Sequence, residues 1–119
     1  MEDCLFCKIL AGDVPSREAY STERTYAFHD INPAAPFHVL VIPRTHIENA
    51  AHIEPDHGDV VVEMFATARL VAEREGFLDG GYRLVFNVGR DALNSVPHLH
   101  MHVLGGRQMG WPPGTEAIG

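Results

Sequence analysis

The stretch Val96–Gly106, VPHLHMHVLGG, decides the fold. His98, His100 and His102 alternate with Leu99, Met101 and Val103, and the glycine pair Gly105–Gly106 ends the run. Alternation of polar and apolar residues is the period of a β-strand, whose successive side chains point to opposite faces. The three apolar residues therefore face a core, while the three imidazoles share the other face at intervals of about 7 Å. A single histidine in such a place reads as an ordinary core or surface residue. Three in register ask for chemistry, because imidazole changes charge near neutrality and serves as metal ligand, nucleophile and acid–base group. Two chemistries fit. His-x-His can hold a zinc ion with an open position for water. Alternatively, a neutral imidazole attacks phosphorus and carries a phosphoryl or nucleotidyl group, while its neighbours orient it and manage protons.

The flanking sequence supplies the rest of an α+β domain. FHVLVIP is a β-branched apolar strand stopped by Pro43, and GYRLVFNVG is another, with Tyr82, Leu84, Phe86 and Val88 on one face. REAYSTERTYAFHDI reads as two short strands around a turn near Ser21–Arg24, and NPAAP as a turn whose prolines cannot donate to a ladder. A long helix starts near Pro55 and runs to about Glu75, with Val61, Met64, Phe65, Ala68 and Val71 as its apolar stripe and Gly76 as its stop. Asp3 can cap a short N-terminal helix that Gly12 ends, with Phe6, Ile9 and Leu10 on one face. Strands follow one another without a helix after each. The expectation is a five-stranded, mostly antiparallel sheet with one short and one long helix, filling residues 1–119 as a single domain.

Composition narrows the partners. The 119 residues are 45% hydrophobic and carry a formal charge of −7, which repels nucleic-acid polymers while leaving room for a small phosphorylated ligand in a local site. No apolar run is long enough to span a membrane. The N-terminus MEDCLFCKIL lacks the basic start of a signal peptide, so a cytoplasmic protein is expected, with its two cysteines reduced.

His-x-His-x-His followed by apolar residues resembles the signature of the histidine-triad (HIT) family. CLFCKILAGDVPS, AFHDINPAAPFHVLVIPRTHI, GYRLVFNVG and SVPHLHMHVLGGRQMGWPPG resemble its Hint branch in order and spacing. The resemblance covers most of the chain except the central helix. It implies a nucleotide hydrolase that cleaves the P–N bond of purine nucleoside 5′-phosphoramidates through a nucleotidyl-histidine intermediate, with no organic cofactor. Purine nucleotides (AMP or GMP) would be substrate or product, and a homodimer would continue the sheet across two subunits.

Carried over, His100 is the nucleophile, His102 serves the phosphate and the leaving-group side, and His98 sits behind, linked to His38 of PFHVL. Asn87 and Ser95 are phosphate-side donors. Asp30 holds the ribose hydroxyls, although before Asn32-Pro33 it also reads as a turn former. Phe6, Ile9, Phe28, Ile31 and Leu40 form the slot for the base with His29 at its edge, where bare hydrophobes would otherwise read as core. Trp111 matches a tail residue that reaches the partner's site. Leu93-Asn94 replaces the family's usual Gly-Gln before the serine, and leucine enters positive φ only at a cost.

Cys4 and Cys7 have the Cys-x-x-Cys spacing of a zinc half-site, or of two buried thiols on one helical turn. His46, His52, His57 and His98 are available to complete the set. Bacterial relatives within the resemblance use the matches of Cys4, Cys7, His46 and His98 for a structural zinc. Rival readings are a dinucleoside polyphosphate hydrolase, a nucleotide-binding regulator with little turnover, and a hydrolase whose zinc is held by the triad.

Overall fold

The computed structural model describes residues 4–113. Five strands form one antiparallel sheet: β1 (Glu18–Ser21), β2 (Thr25–His29), β3 (Phe37–Pro43), β4 (Tyr82–Val85) and β5 (Met101–Gly105), in spatial order β1-β2-β3-β5-β4. The helices are α1 (Leu5–Leu10) and α2 (Gly58–Glu75). This is the expected α+β architecture.

FHVLVIP is a continuous apolar run because β3 lies at the centre of the sheet with both faces covered. Val39 and Val41 join Ala27, Leu99, Met101 and Val103 against Val60, Met64, Ala68, Val71 and Ala72 of α2. Leu40 and Ile42 face the other way, toward Cys4, Phe6 and Phe28 under α1. A six-residue helix is unstable alone in water. Burying Phe6 beneath it contributes about 2 kcal/mol, so tertiary contacts decide whether α1 forms.

Several elements differ from the sequence reading. Asp3 lies outside the described residues, and the N-cap position belongs to Cys4, whose Sγ accepts from the Cys7 N–H at 3.2 Å. The buried stripe of α2 is Val60, Met64, Thr67, Ala68, Val71 and Ala72, while Phe65 is exposed and packs edgewise toward Phe86. Apolar spacing alone did not separate these two faces, since Thr67 is buried by its 2.7 Å bond to Thr25. β4 stops at Val85 rather than running through GYRLVFNVG. β5 begins at Met101, so only His102 of the three histidines lies on regular strand. The backbone groups ahead of it are committed elsewhere: His98 N–H to the Val96 carbonyl at 2.9 Å, and Leu99 N–H to the Ile47 carbonyl at 2.6 Å. Alternation nevertheless survives in this extended approach, with Leu99, Met101 and Val103 in the core.

Candidate active site and metal centre

The imidazoles divide into two sites. His100 and His102 line a cavity of about 360 Å³ beneath α1, within the range of small-ligand pockets. Its walls include the sequence-predicted Phe6, Ile9, Phe28, His29, Asp30, Ile31, Leu40 and Ser95. Val14, Pro15, Ser16, Asn32 and Val96 also line it and were not foreseen, because nothing marks residues of the α1–β1 loop except their position in the fold. Asn87 is not among the lining residues. It lies two residues past the end of β4.

Hydrogen bonds fix the tautomer of each ring. Nδ1 of His100 lies 2.8 Å from the His98 carbonyl, which can only accept, so Nδ1 carries the proton and Nε2 keeps its lone pair. His100 is buried, with Phe6 edge-on at 5.1 Å between ring centroids. The neighbouring ring has the opposite form. Ala34 N–H donates to His38 Nδ1 at 2.9 Å, which leaves the His38 proton on Nε2. That nitrogen is 2.9 Å from His102 Nδ1, so His102 accepts there and carries its own proton on Nε2. The site therefore pairs one imidazole whose Nε2 has a free lone pair with one whose Nε2 is a donor.

Both supporting rings are held neutral. Burial pushes His38 below the ordinary imidazole range, with Asp30 opposing. Burial first, then the adjacent His100 and His38, lowers His102 to about 4. Asp30 Oδ1 accepts from the Asn32 N–H at 2.8 Å, and Oδ2 lies 3.3 Å from His38 Nε2. His29 pairs instead with Glu75 at 3.2 Å.

The expected link from His98 to His38 is absent. Leu40 is level with His102 on the paired strands, so His38 is diagonal to His102. His98 lies farther along, opposite the end of β3, where its Nε2–H donates to the Pro43 carbonyl at 3.0 Å. Fully buried, its ring does not line the cavity.

His98 belongs to the second site. Its Nδ1 lies 3.3 Å from Cys4 Sγ, 3.5 Å from Cys7 Sγ and 3.2 Å from His46 Nδ1; Cys7 Sγ is 3.4 Å from His46 Nδ1. With Nε2 protonated, His98 Nδ1 has one lone pair and cannot serve three neighbours as hydrogen bonds. A cation at the centre satisfies all four donors. Tetrahedral zinc, at its usual bond lengths, requires about 3.3 Å between nitrogens and about 3.6 Å between nitrogen and sulfur. The donor set fits zinc in type and size, and the Pro43 carbonyl is the outer partner that orients a ligating histidine. Without an ion, burial and the adjacent Cys4 push the Cys7 thiol up to about 11. His52 and His57 are not part of this group; they bond to Asn49 and to the Glu54 N–H.

Leu93 is the one non-glycine residue at positive φ among the described residues, at φ 61°. It closes a short turn over Arg90–Ala92 with its side chain in solvent, and the next residue, Asn94, has a buried Oδ1 without a partner. Trp111 is exposed.

The HIT domain family matches residues 11–109. A "14 kDa zinc-binding protein" of Brassica juncea is 42% identical over 94% of this chain and all of its own length. A protein of Arabidopsis thaliana named adenylylsulfatase HINT1 is 39% identical over 92% of this chain and 76% of its own. Among solved structures, a HIT family hydrolase from Clostridium thermocellum superposes with a TM-score of 0.90 at 45% identity, covering 92% of this chain and 96% of that one.

Proposed function

Since the chain belongs to the HIT family, of nucleotide hydrolases and nucleotide-binding proteins, we propose that it hydrolyses the P–N bond of purine nucleoside 5′-phosphoramidates. The observation that carries this reading is the pairing of opposite tautomers, His100 with a bare Nε2 and His102 with a protonated one, at one cavity. The base occupies the slot between Phe6, Ile9, Phe28, Ile31 and Leu40. The ribose diol binds Asp30, whose carboxylate accepts from both hydroxyls.

His100 Nε2 attacks the α-phosphorus. The new N–P bond forms as the P–N bond to the amine breaks; the departing nitrogen takes a proton from water and leaves as the neutral amine, while His102 Nε2–H donates a hydrogen bond to it or to a phosphoryl oxygen. The positive charge that develops on the His100 ring is stabilised by the His98 carbonyl at Nδ1–H. Ser95 and Asn87 supply donors to the phosphoryl oxygens. Water then attacks phosphorus and releases a proton to solvent, the His100–P bond breaks to return the neutral imidazole, and the nucleotide leaves.

Zinc held by Cys4, Cys7, His46 and His98 would have four protein ligands and no open position, so it supplies structure rather than an activated water. The reading with zinc on the triad is disfavoured because the His98 ring is engaged with Cys4, Cys7 and His46 and does not enter the cavity of His100 and His102. The exposed Val62, Phe65 and Val88 support a homodimer through α2 and the β4 edge.

The Arabidopsis relative's name brings in a second substrate, AMP joined to sulfate, for which the same nucleophile and donor serve. The test is AMP release from adenosine 5′-phosphoramidate and adenosine 5′-phosphosulfate by the wild type and His100→Ala, each with and without brief chelation. Steady release that survives chelation and falls by orders of magnitude in His100→Ala is expected. Activity that persists in His100→Ala and vanishes with chelator overturns the mechanism. Binding of AMP without turnover leaves a nucleotide-binding regulator.

A further inference from the structure

The single N–H of His38 has two acceptors. Its Nδ1 is taken by the Ala34 N–H, so only Nε2–H remains. That hydrogen faces His102 Nδ1 at 2.9 Å and Asp30 Oδ2 at 3.3 Å. The carboxylate is the stronger acceptor and the imidazole the nearer one. Asp30 lines the cavity and is partly accessible, whereas its Oδ1 is already engaged by Asn32 N–H. Oδ2 is therefore the oxygen with capacity to spare for a ligand.

We propose that sugar recognition is coupled to proton placement: a vicinal diol on Asp30 saturates Oδ2 and hands the His38 hydrogen wholly to His102. With Oδ2 free, the His38 hydrogen is shared, and His102 Nδ1 is only partly fixed as an acceptor. With Oδ2 satisfied by hydroxyl donors, His102 Nδ1 receives a full hydrogen bond and its own proton stays on Nε2, aimed at the reacting phosphate. No proton changes owner and no bond is made or broken; one hydrogen bond is redistributed. Asp30 and His38 thereby act as positioning residues for His102. The 2′- and 3′-hydroxyls then contribute to turnover as well as to affinity.

This inference rests on the nucleotide reading of the cavity, and two measurements separate their failures. The first is imidazole nitrogen NMR of the zinc-loaded protein titrated with AMP and with 2′,3′-dideoxy-AMP, which requires no catalysis. AMP is expected to move the His102 nitrogens toward a pure Nε2–H form with a hydrogen-bonded Nδ1. The dideoxy ligand, at saturation, is expected to leave them near their free positions. Identical His102 spectra in the two saturated complexes overturn the coupling; failure of AMP to bind overturns the nucleotide reading itself. The second is the kcat and KM split for adenosine and 2′,3′-dideoxyadenosine phosphoramidates. Removing the hydroxyls is expected to lower kcat about tenfold, one hydrogen bond's worth, in the wild type. In Asp30→Ala, where no carboxylate competes for His38, kcat should be the same for both substrates while KM is raised. A sugar effect confined to KM in the wild type also overturns the proposal.

Discussion

His102 makes the protein acid-sensitive in a calculable way. Its folded pKa of about 4 lies below the ordinary imidazole value of 6.5, first through burial, then through the adjacent His100 and His38. The folded state therefore takes up a proton less readily than the unfolded chain. The stability contributed by neutral His102 is complete above the unfolded value and is lost as pH falls from 6.5 toward 4. Between about pH 7 and about pH 5 the full shift corresponds to a loss of about 2 kcal/mol, at 1.36 kcal/mol per pKa unit. The ring is only partly buried, and solvent screening reduces this to about 1 kcal/mol. His102→Gln keeps a polar side chain at the site and removes the titration. Urea unfolding of the two zinc-loaded proteins at both pH values isolates the effect, because protonation of the cysteine and histidine cluster is common to both. The wild type should lose about 1 kcal/mol more than His102→Gln. Equal losses, or a His102 resonance that titrates near 6.5, refute the burial-lowered pKa that keeps His102 neutral.

Three further outcomes follow from local geometry. Leu93→Gly should raise stability by up to about 1 kcal/mol in urea unfolding, because the left-handed conformation costs leucine about 1–2 kcal/mol and its exposed side chain packs on nothing that is lost. Gly105→Ala should lower stability by about 1–3 kcal/mol, since the added Cβ would meet Phe77 Cδ2 at 2.5 Å and Phe77 is held against Phe37 and Tyr82; an unchanged melting temperature contradicts this. Cys7→Ser should lower zinc content measured on the purified protein and bring the melting temperature to that of chelated wild type, whereas a wild type that binds no zinc refutes the fit of the four donors.

Alternation and apolar runs carry the fold in the sequence. VPHLHMHVLGG places Leu99, Met101 and Val103 in the core, and FHVLVIP marks the central strand because only a strand covered on both faces lacks polar alternation. The cavity walls were legible only through the resemblance, since Phe6, Phe28 and Leu40 are indistinguishable from core by type. What stayed hidden depends on register. His38 and His102 are 64 residues apart in the chain, and no local pattern shows that β3 and β5 pair Leu40 with His102. That single offset decides that His38 serves His102 rather than His98. The α1–β1 loop residues Val14 to Ser16 carry no motif, and only the fold brings them over the cavity.

The register also explains how one short stretch serves two sites. His98 and His100 are two residues apart and point to the same side, yet one fills the cysteine cluster and the other the cavity. Phe6 stands between them, edge-on to His98 at 5.9 Å and to His100 at 5.1 Å. Its helix is anchored by Cys4 and Cys7, the same residues whose sulfurs face His98. Whatever tightens that cluster also fixes Phe6, and Phe6 forms part of the cavity wall beside His100. The His98 carbonyl completes the connection, because it accepts the hydrogen bond of His100 Nδ1–H and so sets which nitrogen keeps its lone pair. The cluster therefore acts on His100 through position alone: it holds a backbone carbonyl and an aromatic edge, and those two contacts fix the ring that faces the cavity.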